Sequence, residues 1–576
     1  MQKAWEIGTP DAANAAKGLS GASGISPIVA NLLLKRGVAS ADEARAFLTC
    51  DLKSLHDPFL FKDMPRAVER IRSAVENKDK IIIFGDYDVD GLTATALLFN
   101  TLKAYGADVH NYIPDRVKEG YGLNLEALEK AGKEGMKLAV AVDCGITAAD
   151  EIDFLNKRGI DSLIIDHHEP IEGRIPHAYG ILNPLVPGSG YPYKHLASVG
   201  LVYKLAQALR KSLKHPHPGP QQSLENDLDL VALGTIADVA PLTGENRILV
   251  KHGLEYLAKT KRAGLRALIE VAGIGRKKEF HSETVGFILG PRINASGRMN
   301  SSSHSLKLLL TEDKEEALKL AEGLDKSNRE RQKMEEMILK EAVSKVEREV
   351  NFKEHRVIVL HGDKWHPGVI GIVASRIAEK YYRPTILIAF GEDGLGRGKG
   401  SGRSIKKFHL FDALSKCSKH LIEFGGHEHA AGITISKESV GIFRDSINAV
   451  AHEVLQPLDL IPTLNIDAWI SLKDITPKLM KELAMLEPYG MGNRKPVFAV
   501  KGLTLKSPPK VLGSNTLKIW VTDGEMTYEA VGFRKALDYK LDSASLNFDL
   551  AFTPSINIWQ GQEMIQLQLK DLRTKL

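Results

Sequence analysis

The sequence predicts a multidomain α/β protein: a parallel-sheet domain, a long linker helix, a second α/β domain and a small C-terminal β-barrel. Between residues 78 and 170, short apolar runs such as IIIF (81–84) alternate with helical segments, which is typical of parallel sheets covered by helices. A charged stretch with a partial apolar stripe follows at 312–352. Several short alternating strands occur after residue 457, and 576 residues suffice for three to four domains.

Five regions are expected in chain order. Residues 1–75 have apolar residues at helical spacing and predict a helical cap without catalytic residues. The parallel sheet is expected in 76–311 and a single interdomain helix with a solvated charged face in 312–352. The second α/β unit occupies 353–456, and the β-barrel occupies 457–576.

Composition restricts the class of protein. Lys and Arg total 77 against 72 Asp and Glu, and the net charge of +5 argues against a strongly basic DNA-binding tail and an acidic disordered chain. The three widely spaced cysteines, Cys50, Cys144 and Cys417, predict neither a disulfide framework nor a zinc site. We expect a cytoplasmic protein without membrane contact, because neither an apolar leader nor an 18-residue apolar run occurs.

Three aspartates follow the first apolar strand. Asp86, Asp88 and Asp90 alternate along GDYDVDG (85–91), so in an extended chain their carboxylates share one face. Three neighbouring carboxylates repel each other unless a divalent cation neutralises them. An acidic turn without a metal is the alternative, but open α/β sheets hold their sites at such carboxyl ends of strands.

Further acids and histidines follow later apolar segments. Asp143 comes directly after the strand KLAVAV (137–142), where a helix cap or turn residue is the alternative role. Asp166, His167 and His168 follow the next strand, and histidine is the commonest side-chain ligand of transition metals. Asp166 is placed to orient an imidazole, and Asp238 lies in an apolar helical run where a carboxylate needs a partner.

The order D-x-D, D, DHH and D is similar to the metal-binding series of the DHH phosphoesterase superfamily. Downstream motifs narrow the resemblance to the bacterial single-strand-specific exonucleases of that superfamily. These motifs are GPRINASGRM (290–299), LDKSNRERQKME (324–335), GKGSGRS (398–404), FGGHEHAAG (424–432) and EPYGMGN (487–493). The resemblance extends from about residue 20 to 570. It implies a DHH domain, a DHHA1 domain and an OB-type barrel.

Two divalent cations are expected, because the candidate groups are too many for one ion. Mixed carboxylate and imidazole ligands suit Mn²⁺ well and Mg²⁺ less well. The resemblance assigns Asp88 to one metal and Asp90 to the other, with Asp143 bridging them. Phe84 stands where some relatives have a histidine, so one of the metals is expected to bind more weakly.

The resemblance also implies roles for the remaining groups. His167 and Asp238 would complete the second metal site, and Asp86 is either a ligand or an outer acid that supports one. His168 would face the phosphate or the leaving group. The expected catalytic residues are therefore Asp143, Asp166 and His168.

Basic motifs are expected to contact the substrate. Guanidinium groups bind phosphate oxygens bidentately, although an exposed surface loop is the alternative for 290–299. Segment 396–407 has five basic residues and four glycines, and its glycines would let backbone N–H groups approach a phosphate as in anion-binding nests. The expected substrate-binding residues are Arg292, Asn294, Arg298, Ser401, Arg403 and His427. In the barrel, Trp469, Trp520 and Trp559 would stack on bases or fill the core.

The activity implied is 5′ to 3′ hydrolysis of single-stranded DNA to 5′-mononucleotides, in recombination and repair. Phosphodiester hydrolysis by metal-activated water also follows from the ligand types. We expect a monomer, and the resemblance implies that it works with a single-strand-binding protein and a helicase. One alternative is a phosphodiesterase for nano-RNA or cyclic dinucleotides. Another is an inactive single-strand-binding scaffold, which the complete set of candidate ligands disfavours.

Overall fold

The computed structural model describes residues 3–7, 13–115, 119–120, 122–213, 223–275, 280–299, 303–391, 396–513, 515–533, 535, 547–559 and 561–574. The side chains of Arg298 and Trp559 lie outside this description. The N-terminal region contains β1 (Ala4–Ile7), α1 (Ala13–Ser23), α2 (Pro27–Leu34), α3 (Ala41–Thr49) and α4 (Met64–Asn77). Among the described helices, none is long and apolar enough to cross a bilayer.

The first sheet is parallel, with the order β3-β2-β4-β5-β6. In chain order its elements are β2 (Lys80–Gly85), α5 (Val89–Ala104), β3 (Asp108–Tyr112), α6 (Leu125–Lys133), β4 (Met136–Val142), α7 (Ala149–Asn156), β5 (Asp161–Ile165) and β6 (Gly180–Leu182). Residues 81–85 of β2 are all buried, because helices cover both faces of the sheet. The carboxyl ends of β2, β4 and β5 therefore meet at one edge.

A helical layer follows this sheet and leads into the predicted long helix, which is confirmed. The layer comprises α8 (Ser198–Ser212), α9 (Leu228–Ala237), α10 (Gly244–Ala258), α11 (Ala263–Val271), α12 (Ser282–Thr284), a π-helical turn (Val285–Leu289), α13 (Gly290–Met299) and α14 (Ser303–Leu310). The long helix is α15 (Lys314–Glu349), and Asp313 caps its first turn.

The second α/β unit is built on a mixed sheet with the order β10-β11-β9-β8-β7. Its elements are β7 (Ile358–Gly362), α16 (Pro367–Tyr381), β8 (Thr385–Phe390), β9 (Arg397–Arg403), α17 (Leu410–Lys416), β10 (Glu423–Gly426), β11 (Ala430–Ser436) and α18 (Val440–Val454). Among the described strands of this sheet, only β7 and β8 pair in parallel. The glycine-rich segment around residue 400 is therefore a central strand and not a loop.

The C-terminal region contains the predicted barrel. Its elements are β12 (Thr463–Ile466), β13 (Ala468–Trp469), α19 (Pro477–Ala484), β14 (Phe498–Leu505), β15 (Lys510–Leu512), β16 (Thr516–Thr522), β17 (Thr527–Gly532), β18 (Phe548–Trp559) and β19 (Gln562–Thr574). Because β14 pairs with both β18 and β16, five strands close into a ring. Helices α1–α3 share the core of this barrel, and β1 pairs in parallel with β12.

Candidate active site

The three aspartates after β2 do not lie on an extended chain. Asp88 is the N-cap of α5 and accepts a hydrogen bond of 3.1 Å from the Gly91 N–H, so Asp90 already lies in the first helical turn. Gly91 fits tightly here, since an added Cβ would lie 2.6 Å from the Asp86 carbonyl oxygen. The expectation of three carboxylates on one extended face is therefore wrong, because Asp88 starts a helix.

The turn places the acids in overlapping groups of candidate metal ligands. Within each group, the ligand atoms lie within 4.8 Å of one another. The groups are Asp86 with Asp88 and Asp143, Asp90 with His167 and Asp238, and Asp143 with His167 and His168. Asp143 thus belongs to the first and the third group, and His167 belongs to the second and the third. The residues predicted from strand ends and from the end of α9 come together at one edge of the sheet.

The N-terminus of α8 supports two of these carboxylates. The backbone N–H groups of Ser198 and Val199 donate to the two Asp90 oxygens at 2.7 and 2.9 Å. The Ser198 hydroxyl donates to Asp143 Oδ1 at 2.8 Å. We did not predict Ser198 from the sequence. A serine at the start of an apolar helix is common, and nothing local links it to aspartates far earlier in the chain.

His167 has the features of a metal ligand. Its Nε2 atom is buried without a hydrogen-bond partner and lies 3.4 Å from Asp143 Oδ1 and 3.9 Å from Asp238 Oδ2. Burial, and next the nearby His168, lower the pKa of His167 to about 4. The imidazole is therefore neutral at physiological pH, which leaves a nitrogen lone pair for a cation. These donors fit a divalent metal ion.

His168 is held by Asp166. His168 Nδ1 lies 2.7 Å from Asp166 Oδ1, and the Ile146 N–H donates to Asp166 Oδ2 at 3.0 Å. Burial lowers the pKa of His168, but the hydrogen bond and charge of Asp166 outweigh it and raise the pKa to about 9. His168 is therefore a cation at neutral pH, and 43% of its side chain is exposed.

The clustered carboxylates repel one another, and burial makes their charged forms still less favourable. Burial, then the charges of Asp238 and Asp88, raise the pKa of Asp90 well above its usual value. Burial and Asp88 raise the pKa of Asp238 to about 7. Burial likewise raises the pKa of Asp143, with Asp90 as the next cause. A divalent cation between these groups would offset both the desolvation and the repulsion.

The motif around Arg292 is a helix, α13, and not a surface loop. Arg292 Nε lies 2.9 Å from Asp325 Oδ1 of α15, and its Nη1 donates to the Ile288 carbonyl at 2.7 Å. Only 15% of the Arg292 side chain is exposed. Asn294 is half-buried on the same helix, whereas the Arg298 side chain lies outside the described residues.

The glycines of β9 leave the space that neighbouring core side chains occupy. An added Cβ at Gly398, Gly400 or Gly402 would lie 2.5–2.8 Å from side chains of the core. The backbone of β9 is paired with β8 and β11, so the expected anion-binding nest is wrong for this segment. Ser401 and Arg403 alternate with these glycines on the other face, where Arg403 Nη1 donates to Ser401 Oγ at 3.1 Å.

Of the remaining predicted contacts, His427 and Trp520 lie at the surface. His427 is exposed in the turn between β10 and β11, where its N–H donates to the Ala430 carbonyl at 2.8 Å. Trp520 is 38% exposed on β16, and Lys518 lies 6.0 Å from the centroid of its ring. Trp469 is half-buried against Trp5, with ring centroids 5.9 Å apart.

Three family models match the chain. They are the DHH family N-terminal domain over residues 80–235, the DHHA1 domain over 354–453 and the RecJ OB domain over 466–571. The single-stranded-DNA-specific exonuclease RecJ of Bacillus subtilis is 40% identical over 568 residues, which cover 98% of this chain and 70% of the relative. The chain belongs to the RecJ family.

Solved RecJ structures agree with the fold. RecJ of Thermus thermophilus in complex with Mn²⁺ has a TM-score of 0.83 at 31% identity, over 100% of this chain and 80% of that chain. The Mg²⁺ complex of the same RecJ has a TM-score of 0.76 at 29% identity, over 100% and 79%. The predicted succession of DHH, DHHA1 and OB domains is therefore confirmed. The expected ions, Mn²⁺ or Mg²⁺, are those of the two RecJ complexes.

Proposed function

We propose that this chain is a metal-dependent exonuclease that hydrolyses single-stranded DNA from the 5′ end to 5′-mononucleotides, in recombination and repair. One observation carries the proposal. In a chain of the RecJ family, the acids and histidines at the carboxyl edge of the parallel sheet form overlapping groups of metal-ligand atoms around Asp143.

Two cations are proposed, one for each side of Asp143. Asp86 and Asp88 would hold the first, whereas Asp90, His167 and Asp238 would hold the second, as their grouping supports. When bound, the cations lower the pKa of the attacking water and neutralise charge on the scissile phosphate. The protein supplies orientation, because hydrogen bonds from α8 hold the buried Asp90 and Asp143.

His168 acts on the substrate side in this proposal. Asp166 keeps its imidazole charged and holds Nδ1, and we assign to the other ring nitrogen the donation to a phosphate oxygen or to the leaving oxygen. A cationic donor at this position stabilises the negative charge that develops during phosphodiester hydrolysis.

Phosphate contacts further from the metals are assigned to the basic motifs. Ser401 and Arg403 share the polar face of β9, and we assign substrate phosphates to them and to the exposed His427. Arg292 is already paired with Asp325, so any phosphate contact there would be shared with this carboxylate. Asn294 and Arg298 complete the proposed set through the family resemblance.

The domain boundaries at residues 75, 311, 352 and 456 stay predictions. We further propose a cytoplasmic monomer and, on the family resemblance alone, that a single-strand-binding protein and a helicase deliver DNA to it. Light scattering of the purified chain with and without single-stranded DNA tests the monomer. A dimer in both conditions would contradict it.

Digestion of 5′-labelled and 3′-labelled single strands with Mn²⁺ tests the function. We expect the 5′ label to appear at once in mononucleotides and the 3′ label to shorten progressively, with no cleavage in excess chelator. Asp143→Ala is expected to abolish release but keep most DNA affinity, since binding is spread over remote contacts. Asp150→Ala, at a largely exposed aspartate of α7, is the matched control. Activity confined to dimers through pentamers would instead indicate a small-substrate phosphodiesterase.

A further inference from the structure

The loop after Asp238 is held by a turn from the C-terminal region. This turn, residues 487–493, is called the brace turn below. The Leu242 N–H donates to the Met491 carbonyl at 2.7 Å. An added Cβ at Gly490 would lie 2.7 Å from Leu242 Cδ1, and one at Gly492 would lie 3.0 Å from Thr243 Cγ2. The two segments are therefore in close contact through both backbone and side chains.

The brace turn has its own internal support. The Asn493 side chain donates to the carbonyls of Leu486 and Pro488, both at 2.8 Å, and accepts from Arg36 Nε at 2.7 Å. The Gly490 N–H donates to the Asn493 carbonyl at 2.9 Å. Asn493 is fully buried, so the turn is a rigid surface against which the loop rests.

The loop that it contacts is strained. The N–H groups of Val239 and Ala240 donate to the carbonyls of Ile236 and Thr235 at 3.1 and 3.2 Å, which is the hydrogen-bond pattern of a Schellman helix end. That pattern requires a left-handed residue, usually glycine, but here Val239 has a φ of 63°. A β-branched residue is a true outlier there, and the Val239 side chain, 63% exposed, has little packing of its own to hold it.

Such backbone strain persists only where the surroundings enforce it. Tyr193 contacts the same loop from the DHH side, with its hydroxyl donating to the Thr243 carbonyl at 2.8 Å. The brace turn contacts it through Leu242 and closes it from the barrel side. The strained residue immediately follows Asp238, so the path of this loop sets where the Asp238 carboxylate lies.

We propose that the brace turn is a positioning element for the metal centre. It keeps the loop 239–243 in its strained path and so keeps Asp238 in the group with Asp90 and His167. The inference rests on the proposed function, because it treats Asp238 as a metal ligand. It assigns to the EPYGMGN motif a role in metal binding, and it makes the C-terminal region part of the support of a site in the DHH domain.

Isothermal titration of the metal-free, full-length protein with Mn²⁺ tests this role. We expect the wild type to take up two ions and Gly490→Ala to lose affinity for one of them by ten-fold or more. The control Gly441→Ala lies on α18, where an added Cβ meets no atom within 4 Å, and is expected to keep both affinities. Near-ultraviolet circular dichroism checks that each variant is folded. Unchanged affinities in folded Gly490→Ala would overturn the proposal.

Two further variants keep the inference testable. Leu242→Ala removes the side chain that contacts Gly490 without adding a clash, and it keeps the backbone hydrogen bond to Met491. It is expected to weaken the same binding step. Unchanged affinities for both ions in Leu242→Ala also overturn the proposal. In a Val239→Gly background, Gly490→Ala is expected to lose less affinity, because glycine adopts the left-handed conformation without enforcement. If Gly490→Ala loses the same Mn²⁺ affinity in the wild-type and the Val239→Gly backgrounds, the proposal that the brace turn enforces the strained conformation of Val239 is overturned. If the wild type itself bound no Mn²⁺ or released no nucleotides, the proposed function would fail rather than the brace.

Discussion

Replacing Ser198 by alanine removes one hydrogen bond from the proposed metal centre and leaves its other support intact. The Ser198 hydroxyl donates to Asp143 Oδ1 at 2.8 Å, whereas the bonds to Asp90 come from backbone N–H groups that alanine retains. A hydrogen bond to a charged group contributes about 1.5–3 kcal/mol. Because about 1.4 kcal/mol corresponds to a factor of ten, Mn²⁺ binding is expected to weaken about 10- to 100-fold.

Calorimetric titration of metal-free Ser198→Ala with Mn²⁺ measures this effect. The matched control is Ser189→Ala, which removes a buried hydroxyl bonded to the Pro184 carbonyl at 3.0 Å. That variant is expected to bind Mn²⁺ like the wild type. Wild-type affinity in folded Ser198→Ala would refute the idea that α8 orients Asp143 for the metal. An equal loss in both variants would attribute the effect to general destabilisation.

Three other substitutions and one control variant test the fold and the DNA contact. Glu245→Gln leaves the buried Lys204 ammonium without its anion, and we expect about 3–5 kcal/mol of destabilisation, seen as a lower midpoint in scanning calorimetry. Gly400→Ala places a Cβ 2.5 Å from a core carbon and should lower the midpoint through about 1–3 kcal/mol of overpacking. The control Gly432→Ala, whose added Cβ meets no atom within 4 Å, is expected to keep the wild-type midpoint. Trp520→Ala should weaken single-strand binding by about 1–3 kcal/mol in fluorescence anisotropy; unchanged affinity would place base stacking elsewhere.

The clustering of the candidate metal ligands was predictable because parallel strands end at the same edge of a sheet. Asp143 and Asp166 each directly follow a buried strand, and neighbouring parallel strands bring their ends together whatever the lengths of the intervening helices. The structure brings the candidate ligands together in overlapping groups, whereas their division between two metals stays a prediction.

The glycine-rich motif shows where a local pattern misleads. Alternating Gly with Lys, Ser and Arg looked like an anion-binding loop, because glycine and charged residues are poor strand formers. The segment is nevertheless a central strand, since Phe390 and Ile433 fill the space that side chains at Gly398 and Gly400 would occupy. This packing depends on residues distant in sequence, so local propensity does not reveal it.

The amino-acid order by itself determined the α/β class, the long helix, the barrel and the candidate metal ligands at strand ends. These features follow from periodicity and motif spacing, which are local properties of the chain. Only the tertiary structure decided that α8 supports Asp90 and Asp143, that β9 is packed through its glycines, and that the brace turn contacts the loop after Asp238. These contacts join segments far apart in sequence, and burial and close packing, which no local pattern encodes, select them.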